Sequence, residues 1–184
     1  MLSAEERRLV LDTAADSIRF ALEHGRALPV NIADYPPALR EKRATFVTLT
    51  LGGELRGCIG MLEALRPLIA DVSENAYAAA FRDPRFAPVS QQEVNQLDIH
   101  VSILNESEPL AFSSEDHLIA QLRPGVDGLI LEEGRHRGTF LPSVWESLPQ
   151  PDEFLRHLKL KAGLPANYWS DSVQVSRYTV EDVT

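Results

Sequence analysis

The segment LRGCIG at residues 55–60 places a cation and the only cysteine of the chain two positions apart. In an extended strand, side chains two positions apart point the same way and lie about 7 Å from each other. A neighbouring guanidinium favours thiolate over thiol, so Arg56 and Cys58 together indicate a nucleophile. The alternative is that Cys58 is a small buried side chain without chemistry, which is how free cysteines usually behave in proteins.

A β-hairpin has to position these two side chains. Residues 44–51 are β-branched and aromatic, Gly52-Gly53 suits a two-residue turn, and residues 54–60 form the returning strand. Gly57 and Gly60 leave space at which another backbone or a ligand can approach the strand.

The turn also predicts which residues face each other. A two-residue turn pairs Leu49 with Arg56 and Val47 with Cys58, and paired residues share a face of the sheet. Both faces of the hairpin are largely apolar, so we expect both to be covered. A covered guanidinium needs an anionic partner, and for Arg56 that partner is either a protein carboxylate or a bound ligand.

Two other segments with several arginines are candidates for an anion site. The first is Arg82–Phe86, in which Asp83 precedes Pro84 and marks a sharp exit from a helix. The second is residues 135–140, the returning strand of another predicted hairpin. The alternative for the first segment is compensation of the helix dipole, and the alternative for the second is a solvated strand edge.

Three polar residues of a predicted strand at 97–104 have the types of a catalytic triad. Asp98, His100 and Ser102 fall on one face of this strand, opposite an apolar face. Neighbours on that face are about 7 Å apart, whereas a triad needs hydrogen bonds of about 3 Å between its members. We therefore interpret them as the polar outer face of a half-buried strand.

Composition excludes several classes of protein. The chain has 184 residues, 44% of them hydrophobic, and a single cysteine, which fits one globular domain and excludes a disulfide scaffold or a zinc ribbon. The net charge of −9 argues against nucleic-acid binding. No apolar run is long enough to span a membrane and no secretory signal is recognisable, so we expect a cytoplasmic protein. The five histidines show no metal-binding spacing.

The remaining patterns predict helices mixed with antiparallel strands, which is the α+β class. Ser3 and Glu6 form a capping-box pattern at the start of the first helix. The predicted helices cover residues 3–24, 67–82, 114–122, 143–148 and 152–162, and the later predicted strands cover residues 97–104, 127–133, 136–140 and 172–180.

Several motifs in a fixed order resemble the AMMECR domain family, whose bacterial and archaeal members are the A component of the AmmeMemoRadiSam set. They are LRGCIG at 55–60, NAYAAAFRDPRF at 75–86, VSIL at 101–104, PGVDGLIL at 124–131, RGTFLPSVWE at 137–146 and EFLRHLKLKAGLP at 153–165. The resemblance implies that residues 1–184 form a single AMMECR-like domain of the α+β class, with two lobes and both termini in the larger lobe. It also implies that LRGCIG lies near a cleft between the lobes.

The resemblance further implies a set of site residues. Cys58 is the catalytic candidate. The candidates for ligand binding are Arg56, Gly57, Gly60, Asn75, Arg82, Asp83, Arg85, Phe86, Arg137, Gly138 and Thr139. The family's genes often accompany those for Memo-like and radical-SAM proteins, which are therefore the expected partners. The resemblance identifies no cofactor and assigns no residue to a metal.

Two functions remain open at this point. The first is a binding or regulatory module that works with the Memo-like and radical-SAM partners and has a cleft for a small anion at LRGCIG. The second is an enzyme or enzyme subunit that acts on a small anionic substrate, with Cys58 as nucleophile or acid/base. We expect Arg56 to lie close to at least one of Arg82, Arg85 and Arg137, with Asp83 as the internal counter-ion.

Overall fold

A computed structural model describes the whole chain, Met1–Thr184, and the chain divides into two compact units. The first unit contains Met1–Leu104 and Glu181–Thr184, and the second contains Asn105–Val180. Both ends of the chain therefore belong to the first unit. None of the helices is both long enough and apolar enough to cross a membrane.

The elements confirm the predicted α+β class. The helices are α1 (Ala4–His24), α2 (Pro37–Arg40), α3 (Leu68–Phe81), α4 (Glu115–Gln121) and α5 (Pro151–Lys161). The strands are β1 (Thr45–Leu51), β2 (Glu54–Gly60), β3 (Leu97–Leu104), β4 (Glu108–Pro109), β5 (Gly128–Glu133), β6 (His136–Phe140), β7 (Gln174–Tyr178) and β8 (Val180–Val183). The predicted capping box of Ser3 and Glu6 is present at the start of α1.

The first unit is built on a four-stranded sheet in the order β2-β1-β3-β8, in which β1 is antiparallel to both β2 and β3. One face of this sheet packs against α3, and α3 packs against α1. Val47, Leu49 and Val101 are fully buried on that face, against Val72 and Ala76 of α3. We call this the inner face of the first sheet, and the opposite one its outer face.

Both glycines of LRGCIG permit a close approach that a side chain would prevent. A Cβ on Gly57 would lie 2.0 Å from the carbonyl oxygen of Ala79 in α3. A Cβ on Gly60 would lie 2.3 Å from Cγ of Phe46. The expectation that something packs against these two glycines is confirmed, and in each case the protein itself supplies the approaching group.

The register of the hairpin differs from the prediction because β2 contains a β-bulge. Leu51 pairs with Glu54, as a two-residue turn requires, and Thr50 pairs with Leu55, but the next pair is Leu49 with Gly57. Arg56 is the extra residue that the bulge inserts. The predicted pairs of Leu49 with Arg56 and of Val47 with Cys58 are therefore wrong.

The bulge changes the face on which the cysteine lies. Beyond it, Val47 pairs with Ile59 and Thr48 pairs with Cys58. A shift of one residue moves a side chain to the other face of a sheet, so Cys58 lies on the outer face with Thr48 rather than on the inner face with Val47 and Leu49.

The second unit has its own sheet, in the order β4-β7-β5-β6, with β5 antiparallel to β6 and β7. Leu129 and Leu131 of β5 are fully buried, together with Phe154 of α5. The indole ring of Trp145 stacks on the Phe154 ring at 3.7 Å between centroids. This unit therefore has a core of its own.

The final strand also departs from the prediction. The sequence predicts one strand over residues 172–180, but β7 ends at Tyr178, and β8 then joins the sheet of the first unit. Tyr178 anchors the end of β7 because its ring lies where a Cβ on Gly128 would be and its hydroxyl is 2.9 Å from that of Thr139. The residue between the strands is Thr179, so no glycine or proline marks the break.

Gly57→Ala should destabilise the protein, because the added methyl group would collide with the Ala79 carbonyl of α3. Overpacking of this kind costs about 1–3 kcal/mol, which urea denaturation can measure. Glu54→Ala, an exposed change on the same strand, should alter the free energy of unfolding by less than about 0.5 kcal/mol. An unchanged unfolding midpoint for Gly57→Ala would contradict the close approach of α3.

Candidate functional site around Cys58

The thiol of Cys58 lies outside the hydrophobic core. Cys58 is half-buried on the outer face, and its Sγ is 3.1 Å from Oγ1 of Thr48. Its neighbours Gly57 and Ile59 face α3 and the core instead. The alternative of a sealed, apolar cysteine therefore does not describe this side chain, which has a polar partner and partial access to solvent.

The main chain of Cys58 is held by the segment that follows α3. Its N–H donates to Oδ2 of Asp83 at 3.0 Å, and its carbonyl oxygen accepts from Nη2 of Arg85 at 3.4 Å. Asp83 itself is buried and also accepts hydrogen bonds from the backbone and guanidinium N–H groups of Arg85. The hydrogen bond from the Arg85 side chain holds the pKa of Asp83 well below its ordinary value, although burial acts in the opposite direction.

Arg56 donates four hydrogen bonds to protein acceptors. Its Nε donates to Oε1 of Glu93 at 2.9 Å and its Nη2 donates to Oε2 at 3.2 Å. Two further N–H groups reach the carbonyl oxygens of Ala87 at 2.8 Å and Pro88 at 3.3 Å. Of the two partners considered for Arg56, the protein carboxylate is therefore the one present.

Asn75 stabilises the interior of the first unit. Its side-chain amide donates to the backbone oxygen of Thr45 at 3.1 Å and to Oδ2 of Asp71 at 2.9 Å. Asp71 is fully buried and also accepts from Nε of Arg66 at 2.9 Å. Asn75 therefore belongs to a buried network between α3 and β1, and its donors are used within the fold.

Arg82 and Phe86 flank the loop that holds Cys58. Arg82 is exposed, and its Nε donates to the hydroxyl of Tyr77 at 3.0 Å, with no carboxylate partner. The guanidinium of Arg85 lies 5.4 Å from the centre of the Phe86 ring, a cation–π distance. Phe86 therefore packs beside Arg85, whereas the contacts of Arg82 are with Tyr77.

The candidates at 137–139 belong to the second unit. Arg137 forms an ion pair with Glu132 at 3.0 Å between Nε and Oε1. Gly138 lies against Ala162, to which an added Cβ would come within 3.0 Å. Thr139 donates to the backbone oxygen of Leu129 at 2.8 Å. Burial raises the pKa of its other partner, Tyr178, to about 12.

The arginines do not form a group that lacks carboxylates. Arg56 has Glu93, Arg85 has Asp83 and Arg137 has Glu132. Arg56 and Arg85 connect the same two segments in opposite directions, because Arg56 of LRGCIG binds the carbonyls of residues 87–88 and Arg85 binds the carbonyl of Cys58. The structure thus brings LRGCIG and RDPRF together, with Asp83 as an internal counter-ion, but it provides Arg56 with its own anion.

The outer face also carries polar residues that the sequence analysis did not connect with Cys58. Thr48 pairs with Cys58 on one side and with His100 on the other. His100 Nε2 is 2.8 Å from Oδ1 of Asp182, and the Ser102 hydroxyl donates to the same oxygen at 2.8 Å. The hydrogen bond with His100 is the largest cause that lowers the pKa of Asp182.

The sequence interpretation of residues 98–102 was therefore incomplete. His100 and Ser102 do lie on one face, and they do not form a triad with Asp98. Their carboxylate comes instead from Asp182 on β8, some eighty positions further along the chain. The only sequence signal for Asp182 is its position directly after the last predicted strand.

These features define a two-unit α+β protein built around a cysteine-bearing hairpin. A family model described as AMMECR1 matches residues 11–183, almost the whole chain. The protein belongs to the AMMECR1 family, and the resemblance of its motifs to that family is confirmed.

Similar proteins align over nearly the same length. A protein of Methanothermobacter thermautotrophicus is 38% identical over 98% of this chain and 94% of its own. A protein of Thermotoga maritima is 43% identical over 79% of this chain and 80% of its own. The crystal structure of the uncharacterized protein PH0010 from Pyrococcus horikoshii has a TM-score of 0.92 at 32% identity, covering 98% of this chain and 92% of that one. Both units are therefore shared with that relative.

Glu93→Gln should lower the stability of the protein at neutral pH and not at acidic pH. The hydrogen bond from Arg56 lowers the pKa of Glu93 from 4.5 to about 2. A carboxyl group with a lowered pKa in the folded state stabilises that state above its unfolded pKa, and the contribution disappears as the pH falls through the folded pKa. The variant should lose about 1–3 kcal/mol at pH 7, and its difference from wild type should vanish between pH 4.5 and pH 2.

Urea denaturation at a series of pH values measures this difference. Glu54→Gln removes an exposed carboxylate from the same hairpin and should show a small difference at every pH. If the loss caused by Glu93→Gln is the same at pH 3 and pH 7, the Arg56–Glu93 ion pair is not what stabilises the hairpin.

Proposed function

We propose that the protein is an enzyme, or a subunit of one, that uses the Cys58 thiolate as a nucleophile on a small anionic substrate. The observation that supports this most directly is that the candidate residues of LRGCIG make different kinds of contact. The side chain of Arg56 is bound to Glu93, and Gly57 and Gly60 lie against Ala79 and Phe46. Cys58 is the residue whose reactive side chain is left at the half-exposed outer face.

The surroundings of Cys58 suit a thiolate. Arg85 reaches the Cys58 carbonyl, and its pKa is raised, chiefly by its hydrogen bond with Asp83. A guanidinium close to a cysteine favours the thiolate over the thiol. Thr48 Oγ1, at 3.1 Å from Sγ, can donate a hydrogen bond to the same sulfur.

Arg85 also offers a contact for an anionic substrate. Its side chain is 56% exposed, and its Nε and Nη2 are bound to Asp83. Nη1 is engaged by no protein group and remains available for a carboxylate or phosphate oxygen. A substrate held there would carry its electrophilic carbon to Sγ, where the thiolate electron pair forms the C–S bond and the displaced pair leaves with the departing atom.

The second candidate function is a binding or regulatory module that works with Memo-like and radical-SAM proteins. It is favoured by the ion pairs of Arg56 and Arg85, because these use the charges of the two motifs inside the fold. In such a module the hydrogen bonds of the Cys58 main chain with Asp83 and Arg85 would preserve the shape of a docking surface. The thiol itself would have no special reactivity.

Iodoacetamide alkylation followed by mass spectrometry distinguishes these functions. For the enzyme, Cys58 in the native protein should react at pH 7 at least about tenfold faster than in the urea-unfolded chain, as expected for a stabilised thiolate. Arg85→Gln should slow the native reaction several-fold, and it should slow the anionic reagent iodoacetate more than the neutral iodoacetamide. Arg82→Gln is the matched control, since Arg82 is exposed and does not contact Cys58.

Two results would decide against the nucleophile. If Cys58 reacts only after unfolding, or reacts no faster in the native protein, the binding module is the better description. Arg85→Lys, which keeps the cation, and thermal melting of each variant show whether a lost rate reflects charge or a damaged fold.

A further inference from the structure

The outer face of the first sheet carries His100 and Asp182, a hydrogen-bonded pair of titratable residues, beside Thr48 and Cys58. Thr48 pairs with Cys58 across β1 and β2 and with His100 across β1 and β3. Directly paired residues project to the same face of a sheet. Cys58, Thr48 and His100 therefore form one row across three strands, and Asp182 of β8 extends the row through its contact with His100.

The pairing with Asp182 determines where the imidazole proton lies. The pKa of Asp182 is lowered, chiefly by the hydrogen bond with His100, so the carboxyl group is ionised near neutral pH and has no proton to donate. In the contact of 2.8 Å, the hydrogen must therefore be on Nε2 of His100. When the ring is neutral, Nδ1 then carries a lone pair, which is how a carboxylate prepares a histidine to act as a base.

Two further contacts show that this pair is fixed in place. The Ser102 hydroxyl donates to the same oxygen of Asp182 at 2.8 Å, and Arg7 donates to the backbone oxygen of Asp182 at 2.6 Å. The Nδ1 atom of His100 has no partner within the protein. An oriented histidine with an unused basic nitrogen is therefore present on the same face as the thiol.

Thr48 lies between the base and the thiol. Its hydroxyl is 3.1 Å from Sγ of Cys58. Paired residues on neighbouring strands have Cβ atoms about 4.5–5.5 Å apart, a spacing that one bridging water molecule can span between the hydroxyl and Nδ1 while Nε2 stays bound to Asp182. Hydrogen bonds of this kind are often incomplete before substrate binds.

We propose that His100, oriented by Asp182, is the general base for Cys58 and receives the thiol proton through the hydroxyl of Thr48. The proton of Sγ moves to Oγ1 of Thr48, and the proton that Oγ1 carried moves to Nδ1 of His100. The products are a thiolate, an unchanged threonine and an imidazolium that keeps its hydrogen bond to Asp182. No electron is transferred, and the inference rests on the proposed role of Cys58 as a nucleophile.

Other charged groups lie around the row formed by Cys58, Thr48, His100 and Asp182, and one of them provides a control substitution. Asp83 and Arg85 hold the Cys58 end, and Arg7 with Glu181 lies at the β8 end. Asp98 is exposed on β3, two residues from His100. Asp98→Asn therefore removes a nearby negative charge without changing the row.

The pH profile of iodoacetamide alkylation at Cys58 tests the relay. His100→Gln and Thr48→Val should each slow the reaction of the native protein at pH 7 by roughly tenfold, because a cysteine with the ordinary pKa of about 8.5 is only a few per cent thiolate at that pH. The double variant should be no slower than either single one, because both remove the same path. Thr48→Ser, which restores the hydroxyl, and the control Asp98→Asn should keep the wild-type profile.

The outcomes separate this inference from the proposed function. If wild-type Cys58 is not unusually reactive, the proposed role of Cys58 as a nucleophile is wrong. If Cys58 is reactive and the rate is unaffected by His100→Gln or Thr48→Val, or if the two losses add, the relay is overturned and the nucleophile stands. Unchanged thermal melting confirms that the variants fold, and equal alkylation rates in urea confirm that the substitutions leave the intrinsic reactivity of the thiol unchanged. Should Thr48→Val not fold, Thr48→Ala replaces it, and Asp182→Asn should reproduce the His100→Gln profile.

Discussion

The buried carboxylate of Asp83 is the contact on which the arrangement around Cys58 depends. An ionised group shielded from water is stable only when donors surround it, and those donors are the Cys58 N–H together with the main chain and guanidinium of Arg85. The hydrogen bonds to this one carboxylate therefore fix the backbone of Cys58, the turn after α3 and the guanidinium of Arg85 together. The same contacts occupy the outer edge of β2, where unpaired backbone groups would otherwise invite another strand.

The single residue inserted at the bulge determines which side chains of β2 lie on the inner face and which on the outer face. The bulge at Arg56 turns that side chain toward the carbonyls of Ala87 and Pro88 and the carboxylate of Glu93. It also moves Cys58 from the inner to the outer face. Without the bulge the thiol would point at α3, where Gly57 now leaves space for the Ala79 carbonyl. The chemistry available at the outer face is thus a consequence of strand register.

Local signals in the sequence were sufficient for much of this architecture. The capping box of Ser3 and Glu6, the turn at Gly52-Gly53 and the tight spaces at Gly57 and Gly60 all depend on residues near one another in the chain. The bulge could not be predicted in the same way. Its extra residue, an arginine, is ordinary in a strand, and its effect is visible only in which partner each later residue meets.

Non-local pairing explains the rest of what was missed. The sequence places His100 and Ser102 on one face, yet their carboxylate is on β8, which is separated from β3 by the whole second unit. Glu93 was likewise not recognised as the partner of Arg56, because the two meet only when the loop after α3 folds back on the hairpin. Such contacts depend on topology, and a single sequence contains no local trace of them.

The position of β8 has a consequence for how the chain folds during synthesis. The second unit is inserted between β3 and β8 of the first sheet. Domains generally fold as their segments leave the ribosome, but β3 keeps an unpaired edge until the entire insertion has emerged. Closing so long a loop also slows the search for the final strand. Through that interval the nascent chain carries its thiol while His100 and Ser102 still lack Asp182, so the polar row on the outer face is completed only after β8 has been synthesised.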